Sequence, residues 1–155
     1  PNRSSFYEAL FQLFDQAQHQ NAAVLLVDIN HFKKVNDQFG HLAGDAVLRA
    51  LSYCVRQILP PDALLSRLGG DEFAIIIPNA ADANAAAHHC QRVQDCFSST
   101  FIYEQQQIPL SISIGAALAQ QAPSPEDLIA HADQALRKAK RLNEKWHFYP
   151  QPDNQ

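Results

Sequence analysis

The sequence predicts an α/β (α+β) domain, a central mixed β-sheet flanked by helices on a βα(α)ββαβ plan. Three observations point to that class. Ala22 to Val27 is an unbroken apolar run, the mark of a strand covered on both faces. Gly69-Gly70 joins the apolar runs Ala63-Leu64-Leu65 and Phe73-Ala74-Ile75-Ile76-Ile77, which reads as a hairpin turned on glycines at positive φ. Between and after these runs lie segments whose apolar residues recur at helical spacing. Strands separated by helices cross over one sheet, and the hairpin adds an antiparallel pair.

In chain order, Ser4 or Ser5 caps a first helix that reaches about Gln18 and turns Phe6, Leu10, Leu13 and Phe14 inward. The first strand ends at Asp28. A helix from about Asn30 to Phe39 carries Phe32, Val35 and Phe39 on one side; Gly40 ends it and Gly44 marks a second break. From Asp45 to Leu59, Val47, Leu48, Leu51, Cys54, Val55, Ile58 and Leu59 form the stripe of an amphipathic helix, stopped by Pro60-Pro61. After the hairpin, Asn79 to Asp82 is a turn, and the next helix buries Ala86, Cys90, Val93 and Phe97. Phe101 to Glu104 reads as a short strand and Gln105 to Gln107 as a loop. Ile108, Leu110, Ile112, Ile114, Ala116 and Leu118 then alternate with small or polar residues, as in a half-buried strand. Ser124-Pro125-Glu126-Asp127 opens the last helix with a capping serine, a proline and two acids. Its buried stripe is Leu128, Ile129, Ala132, Ala135, Leu136 and Ala139. Trp146 to Tyr149 reads as an edge strand, and residues 150–155 as a polar tail or the start of a linker.

A chain of 155 residues suits one domain, and 46% hydrophobic residues are enough for a sizeable core. No apolar run approaches the ~20 residues that span a bilayer, so no direct membrane contact is expected. The net charge of −4 argues against a general nucleic-acid binder and against long-range steering of an anionic substrate. A bound nucleotide would have to be held by metal ions and local lysines. Cys54, Cys90 and Cys96 are odd in number and form no Cys-x-x-Cys pair. They read as buried free thiols in a reducing compartment, which favours the cytoplasmic side. The abrupt start at Pro1-Asn2-Arg3 reads as a piece of something longer.

Asp28 stands where the first strand ends, and ligands of open α/β sheets collect beyond strand ends. Asp71 and Glu72 follow the two glycines. If the first strand lies beside the hairpin, the three carboxylates converge, and their repulsion raises at least one pKa. A divalent cation removes that conflict. Oxygen ligands suit Mg²⁺, which keeps waters and substrate phosphates as its other ligands; Mn²⁺ is the alternative ion. Taken alone, Asp28 also fits a helix N-cap or first-turn acid, and Gly-Gly-Asp a solvated hairpin tip. Lys33 and the backbone amides of His31 and Phe32 lie at a helix N-terminus, a natural phosphate seat. His88-His89 reads as solvated helix surface. There is no Ser/His/Asp set and no P-loop.

The string Arg67-Leu68-Gly69-Gly70-Asp71-Glu72-Phe73 resembles the motif that names the GGDEF family of diguanylate cyclases, which join two GTP molecules into cyclic di-GMP. The segment from Asp28 to Asp45 resembles the family's D-x-D-x-F-K-x-x-N-D-x-x-G-H-x-x-G-D, and Ala132 to Lys140 resembles A-D-x-A-L-Y-x-A-K. Pro1-Asn2-Arg3 is similar to the end of the family's opening L-T-x-L-P-N-R. The resemblance runs to about Phe148, so residues 1–149 would be the catalytic domain. It implies the palm-like nucleotidyl cyclase fold shared with class III nucleotide cyclases and many polymerases. It implies that Asp28 and Asp71 bind metal, with Glu72 near a second ion and the Ile29 carbonyl contributing. Asp71 would act in catalysis as a base or only as a ligand, with Lys33 beside the phosphates. Asn36 and Asp45 would read the guanine edge: a carboxylate accepts from N1–H and N2–H₂, a pattern adenine lacks. Taken alone, Asn36 fits an exposed helix face and Asp45 a helix N-terminal acid. Lys140 would touch the terminal phosphates, although a cation near a helix C-terminus is favoured by the dipole anyway. The resemblance further implies GTP as substrate and a homodimer holding one GTP per subunit. It also implies an N-terminal sensory or regulatory domain in the full-length protein, and a cytoplasmic location, free or as part of a membrane-anchored protein.

Several positions depart from the pattern. Asn30 stands where Asp is usual, and Arg137 where Tyr is usual. Glu144 stands where a phosphate-binding Arg is common, which would weaken triphosphate binding unless Arg137 or Arg141 substitutes. Many members carry a product-inhibition R-x-x-D just upstream of the hairpin. Pro60 and Ala63 align there and Asp62 is one place off, so no such allosteric site is expected. The rival reading is a catalytically idle GGDEF domain that binds GTP and regulates an attached domain. A polymerase-like palm is disfavoured by the acidic charge.

Overall fold

An apolar run without alternation must be covered twice, and β1 (Ala23–Ile29) is, with all seven residues buried. The computed structural model describes residues 2–80, 82–97 and 100–149. α1 (Arg3–Phe14) precedes β1. After it come α2 (Phe32–Phe39), α3 (His41–Ile58), the hairpin β2 (Leu64–Arg67) and β3 (Glu72–Ile77), and α4 (Ala83–Asp95). Then follow β4 (Phe101–Tyr103), β5 (Gln106–Ile108), β6 (Ile112–Leu118), α5 (Pro125–Leu142) and β7 (Trp146–Phe148). The main sheet runs β2-β3-β1-β6-β7, with β4 and β5 in a separate two-stranded hairpin. β1 is antiparallel to both β3 and β6, and β7 joins β6 in parallel, so the sheet is mixed as expected.

Side chains alternate across a sheet, so β1 divides the core. Leu25, Val27 and Ile29 pack with Leu51 and Val55 of α3 and with Cys90 and Val93 of α4. Val24 and Leu26 pack on the other face with Phe6 and Leu10 of α1 and with Leu128 and Leu136 of α5. Asp28 continues the second series and so looks toward α5. The start of α5 is as expected: Ser124 Oγ accepts from the Asp127 amide at 3.1 Å. The helix ends at Asn143, which takes the left-handed conformation at φ 56°.

Other expectations need correction. β6 is not half-buried; all seven of its residues are buried. Ser113, Gly115 and Ala117 are small because α5 lies on them: a Cβ on Gly115 would stand 2.2 Å from the Leu136 amide nitrogen. Ile108 belongs not to that strand but to β5, which pairs with β4 through a turn at Glu104 and Gln105. Gly44 does not break a helix. It lies inside α3, where a Cβ would stand 1.9 Å from Asn36 Oδ1, so its role is close packing against α2. The break is at Gly40, whose φ of 95° favours glycine. α1 is capped by Asn2 rather than a serine, its side chain accepting from the Ser5 amide at 3.0 Å, and it ends at Phe14. The expected tail at residues 150–155 lies outside the described residues.

The cysteines also differ from expectation. Cys54 of α3 and Cys96, which follows α4, form a disulfide with Cα atoms 6.0 Å apart. The two helices lie side by side, which a separation of 42 residues does not reveal. Cys90 is free and buried, and burial pushes its thiol up to about 12. Two of the three thiols are thus not free, and a reducing compartment no longer follows from them. Among the described residues, no helix is long and apolar enough to cross a membrane.

Candidate active site

β1 and the β2–β3 hairpin end at the same rim of the sheet. Asp28 is directly opposite Glu72 in the β1–β3 register, and the Ile29 amide donates to the Asp71 carbonyl at 3.1 Å. The hairpin tip is braced from behind by Arg67, whose Nε donates to Gly69 O and Nη2 to Gly70 O, each at 2.9 Å. Neither Gly69 nor Gly70 has a positive φ, contrary to the turn expected from sequence. What the pair supplies is room. Among the described residues, nothing lies within 4 Å of where either Cβ would stand, so bare backbone beside Asp71 faces open space. A ligand can approach such a backbone closely.

The rim is electrostatically unsatisfied. Asp28 is 8% exposed, and burial pushes its carboxyl above the usual carboxylate range. The Lys140 ammonium opposes that shift, while the charge of the neighbouring Asp71 carboxylate adds to it. Glu72 is raised by burial and then by Asp28 and Asp133. Lys140 Nζ pairs with Asp28 Oδ2, whereas the buried Oδ1 has no hydrogen-bond partner among the described residues. Among the described residues no three His, Cys, Asp or Glu side chains form a metal cage by themselves. Mg²⁺ does not require one. Two carboxylates and a backbone carbonyl leave positions for phosphate oxygens and water, the arrangement it favours. An orphaned carboxylate oxygen beside a second carboxylate fits such an ion.

The upward shifts have a consequence for the metal-free domain. Asp28 and Glu72 bind protons more tightly folded than unfolded. Their contribution to stability is full below their ordinary values of 3.8 and 4.5 and is lost as pH rises through the raised folded values. Urea melts in a chelator should therefore show the wild type losing more stability from about pH 4 upward than the Asp28→Asn/Glu72→Gln double variant. Parallel pH profiles would contradict the assignment.

A second group lies on α2 and α3. The left-handed His31 (φ 57°) precedes Phe32, and among the described residues no side chain caps the first turn of α2, so the amides of Phe32 and Lys33, unlike that of Lys34, are open to an anion. Lys33 is exposed on that turn. Asn36 is half-buried with Oδ1 over Gly44, and Asp45 is the next residue of α3, so the two predicted base-reading positions are neighbours. From Asp45 a cleft of about 650 Å³ runs along α3 to Arg67 and Phe73, lined also by Arg49, Tyr53 and Arg56. Its volume suits a nucleotide-sized ligand. Arg49 and Arg56 were not singled out from sequence, although their spacing of two helical turns puts them on one face.

The departures have local explanations. Asn30 is a clamp: its Nδ2 donates to Ser111 Oγ and its Oδ1 accepts from Ser113 Oγ, both at 3.0 Å. Glu144 lies 2.9 Å from His147 Nδ1, and Arg137 pairs with Asp133 at 3.1 Å. Asp62 accepts from Asn79 Nδ2 at 2.9 Å.

Comparison with known proteins points to one domain family, found in proteins of differing activity. The family model described as "Diguanylate cyclase, GGDEF domain" matches residues 1–145. The chain is 36% identical over 145 residues to the diguanylate cyclase TpbB of Pseudomonas aeruginosa, covering 91% of this chain and 33% of that protein. It is 33% identical over 141 residues to the cyclic di-GMP phosphodiesterase PdeR of Escherichia coli, covering 90% and 21%. The crystal structure of the GGDEF domain of YfiN, or TpbB, from Pseudomonas aeruginosa superposes with a TM-score of 0.90 at 32% identity, covering 97% of each chain. The chain spans less than half of the length of these curated relatives, 33% of one and 21% of the other.

Proposed function

The chain belongs to the GGDEF domain family of diguanylate cyclases, and on that premise we propose that it condenses two GTP molecules into cyclic di-GMP and two pyrophosphates. The observation that supports this reading most is the convergence of Asp28, Asp71 and Glu72 at one rim, with a buried carboxylate oxygen left unpaired. Residues 1–149 are the catalytic unit in this proposal. The parent protein carries a sensory or regulatory domain ahead of it and keeps this domain in the cytoplasm.

Each subunit holds one GTP. Asp45 accepts from guanine N1–H and N2–H₂, and Asn36 donates to an acceptor on the ring. Lys33, the amides of His31 and Phe32, and Lys140 hold the triphosphate. A magnesium ion on Asp28, Asp71 and the Ile29 carbonyl, with a second near Glu72, would neutralise the phosphates and lower the pKa of the 3′-hydroxyl. Across a two-fold pair, each 3′-oxygen bonds to the other nucleotide's α-phosphorus. The bond from that phosphorus to the bridging oxygen breaks, and pyrophosphate leaves. The 3′-proton passes to Asp71 or to water. Holding both reactants in line accounts for most of the acceleration.

Half of the reacting atoms come from each subunit, so specific activity should rise steeply with protein concentration. A flat profile across dilution through the dimer range contradicts the pairing. Product inhibition through the R-x-x-D position should be absent, because Pro60 and Ala63 offer no charge and Asp62 is committed to Asn79. Cyclic di-GMP titrated into the enzyme should leave the initial rate unchanged, and a fall at low product concentration contradicts this.

One observation favours a second reading. Glu144, beside His147, puts a carboxylate where the family's phosphate-binding arginine is common. An idle domain that binds GTP and regulates its parent is consistent with that. Incubating a forced dimer with GTP and Mg²⁺, followed by nucleotide chromatography, separates the two. Cyclic di-GMP selects the cyclase; bound but unchanged GTP selects the idle domain.

A further inference from the structure

We propose that Lys140 is a resident counter-cation that occupies Asp28 in the metal-free state and is exchanged for the divalent ion, which releases its ammonium toward the substrate phosphates. The swap rests on Asp28 being a metal ligand, and it concerns what holds that ligand before the metal arrives. Asp28 lies on the α5 face of β1, and Lys140 comes from the last turns of α5, 112 residues later. Its Nζ sits on Oδ2 of a carboxylate that is nearly sequestered from water, while its own side chain is 42% exposed. A buried carboxylate without a partner is costly. Lys140 therefore stabilises the empty rim and also competes with any ion that needs Asp28.

The side chain is long, flexible and partly solvated, so it can leave without unfolding α5. Once displaced, with Asp71 and Glu72 drawn to the metal, the ammonium has a triphosphate held at the same rim as its new partner. A metal ion alone must then break the ion pair at its own expense. A metal arriving with a nucleotide breaks it while giving Lys140 a new partner. Metal and nucleotide should accordingly bind with positive coupling, and Lys140 should be the residue that carries it.

Mn²⁺ binding without nucleotide, read by electron paramagnetic resonance, tests this on the wild type, Lys140→Met, Arg137→Met and Asp28→Asn. Arg137 is the control. It sits on the same helix and loses the same charge, but it is 71% exposed and paired with Asp133. Lys140→Met should bind Mn²⁺ alone at least about tenfold tighter than wild type, the scale on which a close opposite charge acts on a carboxylate. Arg137→Met should stay within about twofold, because solvent and salt screen an exposed charge. Lys140→Met should also bind a non-hydrolysable GTP analogue more weakly, a crossing of signs that a merely structural lysine would not produce. Lys140→Gln, which keeps a polar end, should repeat both results. Equal Mn²⁺ affinity in wild type and Lys140→Met, with Asp28→Asn weakened, overturns the swap and leaves the metal site standing. Mn²⁺ affinity indifferent to Asp28→Asn overturns both.

Discussion

Replacing Asp28 with asparagine is expected to lower cyclic di-GMP synthesis by roughly a thousandfold while leaving the domain folded. The substitution keeps the shape of the side chain and removes the charge that a divalent ion would require. Metal stabilisation of a transferring phosphoryl group is worth several kcal/mol, and each ~1.4 kcal/mol is a factor of ten in rate. The same change relieves the metal-free domain of a carboxylate whose Oδ1 is buried without a partner among the described residues. The melting temperature in chelator should therefore not fall, and the added stability that Mg²⁺ and a GTP analogue confer on the wild type should vanish. Initial rates by chromatography and thermal melts with and without metal measure both effects. An Asp28→Asn variant that is active within about tenfold of wild type would remove Asp28 from the chemistry.

The largest loss of stability is expected from Gly115→Ala. The added Cβ would stand 2.2 Å from the Leu136 nitrogen, 2.4 Å from the Ala132 oxygen and 2.5 Å from the Leu136 Cα. All three are backbone atoms of α5, so no side chain can swing aside and the helix itself must lift from β6. Overpacking of this kind costs about 3 kcal/mol or more. In a domain of this size each kcal/mol lowers the melting temperature by roughly 2–4 °C, so a fall of about 6–12 °C is expected. Because α5 carries Lys140, nucleotide affinity should fall with it. Gly69→Ala is the informative contrast. Its Cβ meets nothing within 4 Å, so stability should hardly change while nucleotide affinity drops. If Gly115→Ala melts like wild type, α5 does not lie as closely on the sheet as described.

These two glycines show where sequence reasoning succeeds and where it stops. Local chemistry is legible. The apolar run of β1, the Ser124-Pro125 start of α5 and the hairpin around Gly69-Gly70 were each found within the segment that encodes them. Close approach between distant elements is not. Gly44 looks like a break and Gly115 like one more small residue of an alternating strand, yet they are places where α2 and α5 come too near for a side chain. The small residues alternating along β6 look like a solvated face for the same reason. Periodicity reports size as readily as exposure. The Cys54–Cys96 link also depends on two helices meeting 42 residues apart.

The candidate site divides in the same way. The motif strings place Asp28, Asp71, Glu72, Asn36 and Asp45 by number, and their roles remain proposals. The order of the strands explains why the first three share a rim: β3 pairs with β1, so the end of one and the start of the other coincide. That Lys140 reaches Asp28, that Arg67 braces the glycines and that Asn30 clamps Ser111 and Ser113 all depend on side-chain directions that no motif encodes.

The central claim is that a divalent ion sits between Asp28 and Asp71 when nucleotide is bound. A crystal grown with Mn²⁺ and a non-hydrolysable GTP analogue would test it through anomalous scattering from the metal. The account predicts a peak in direct contact with an Asp28 oxygen, an Asp71 oxygen and the Ile29 carbonyl, with Lys140 turned to the phosphates. A bound nucleotide with no peak at that rim, and Lys140 still paired with Asp28, would contradict it.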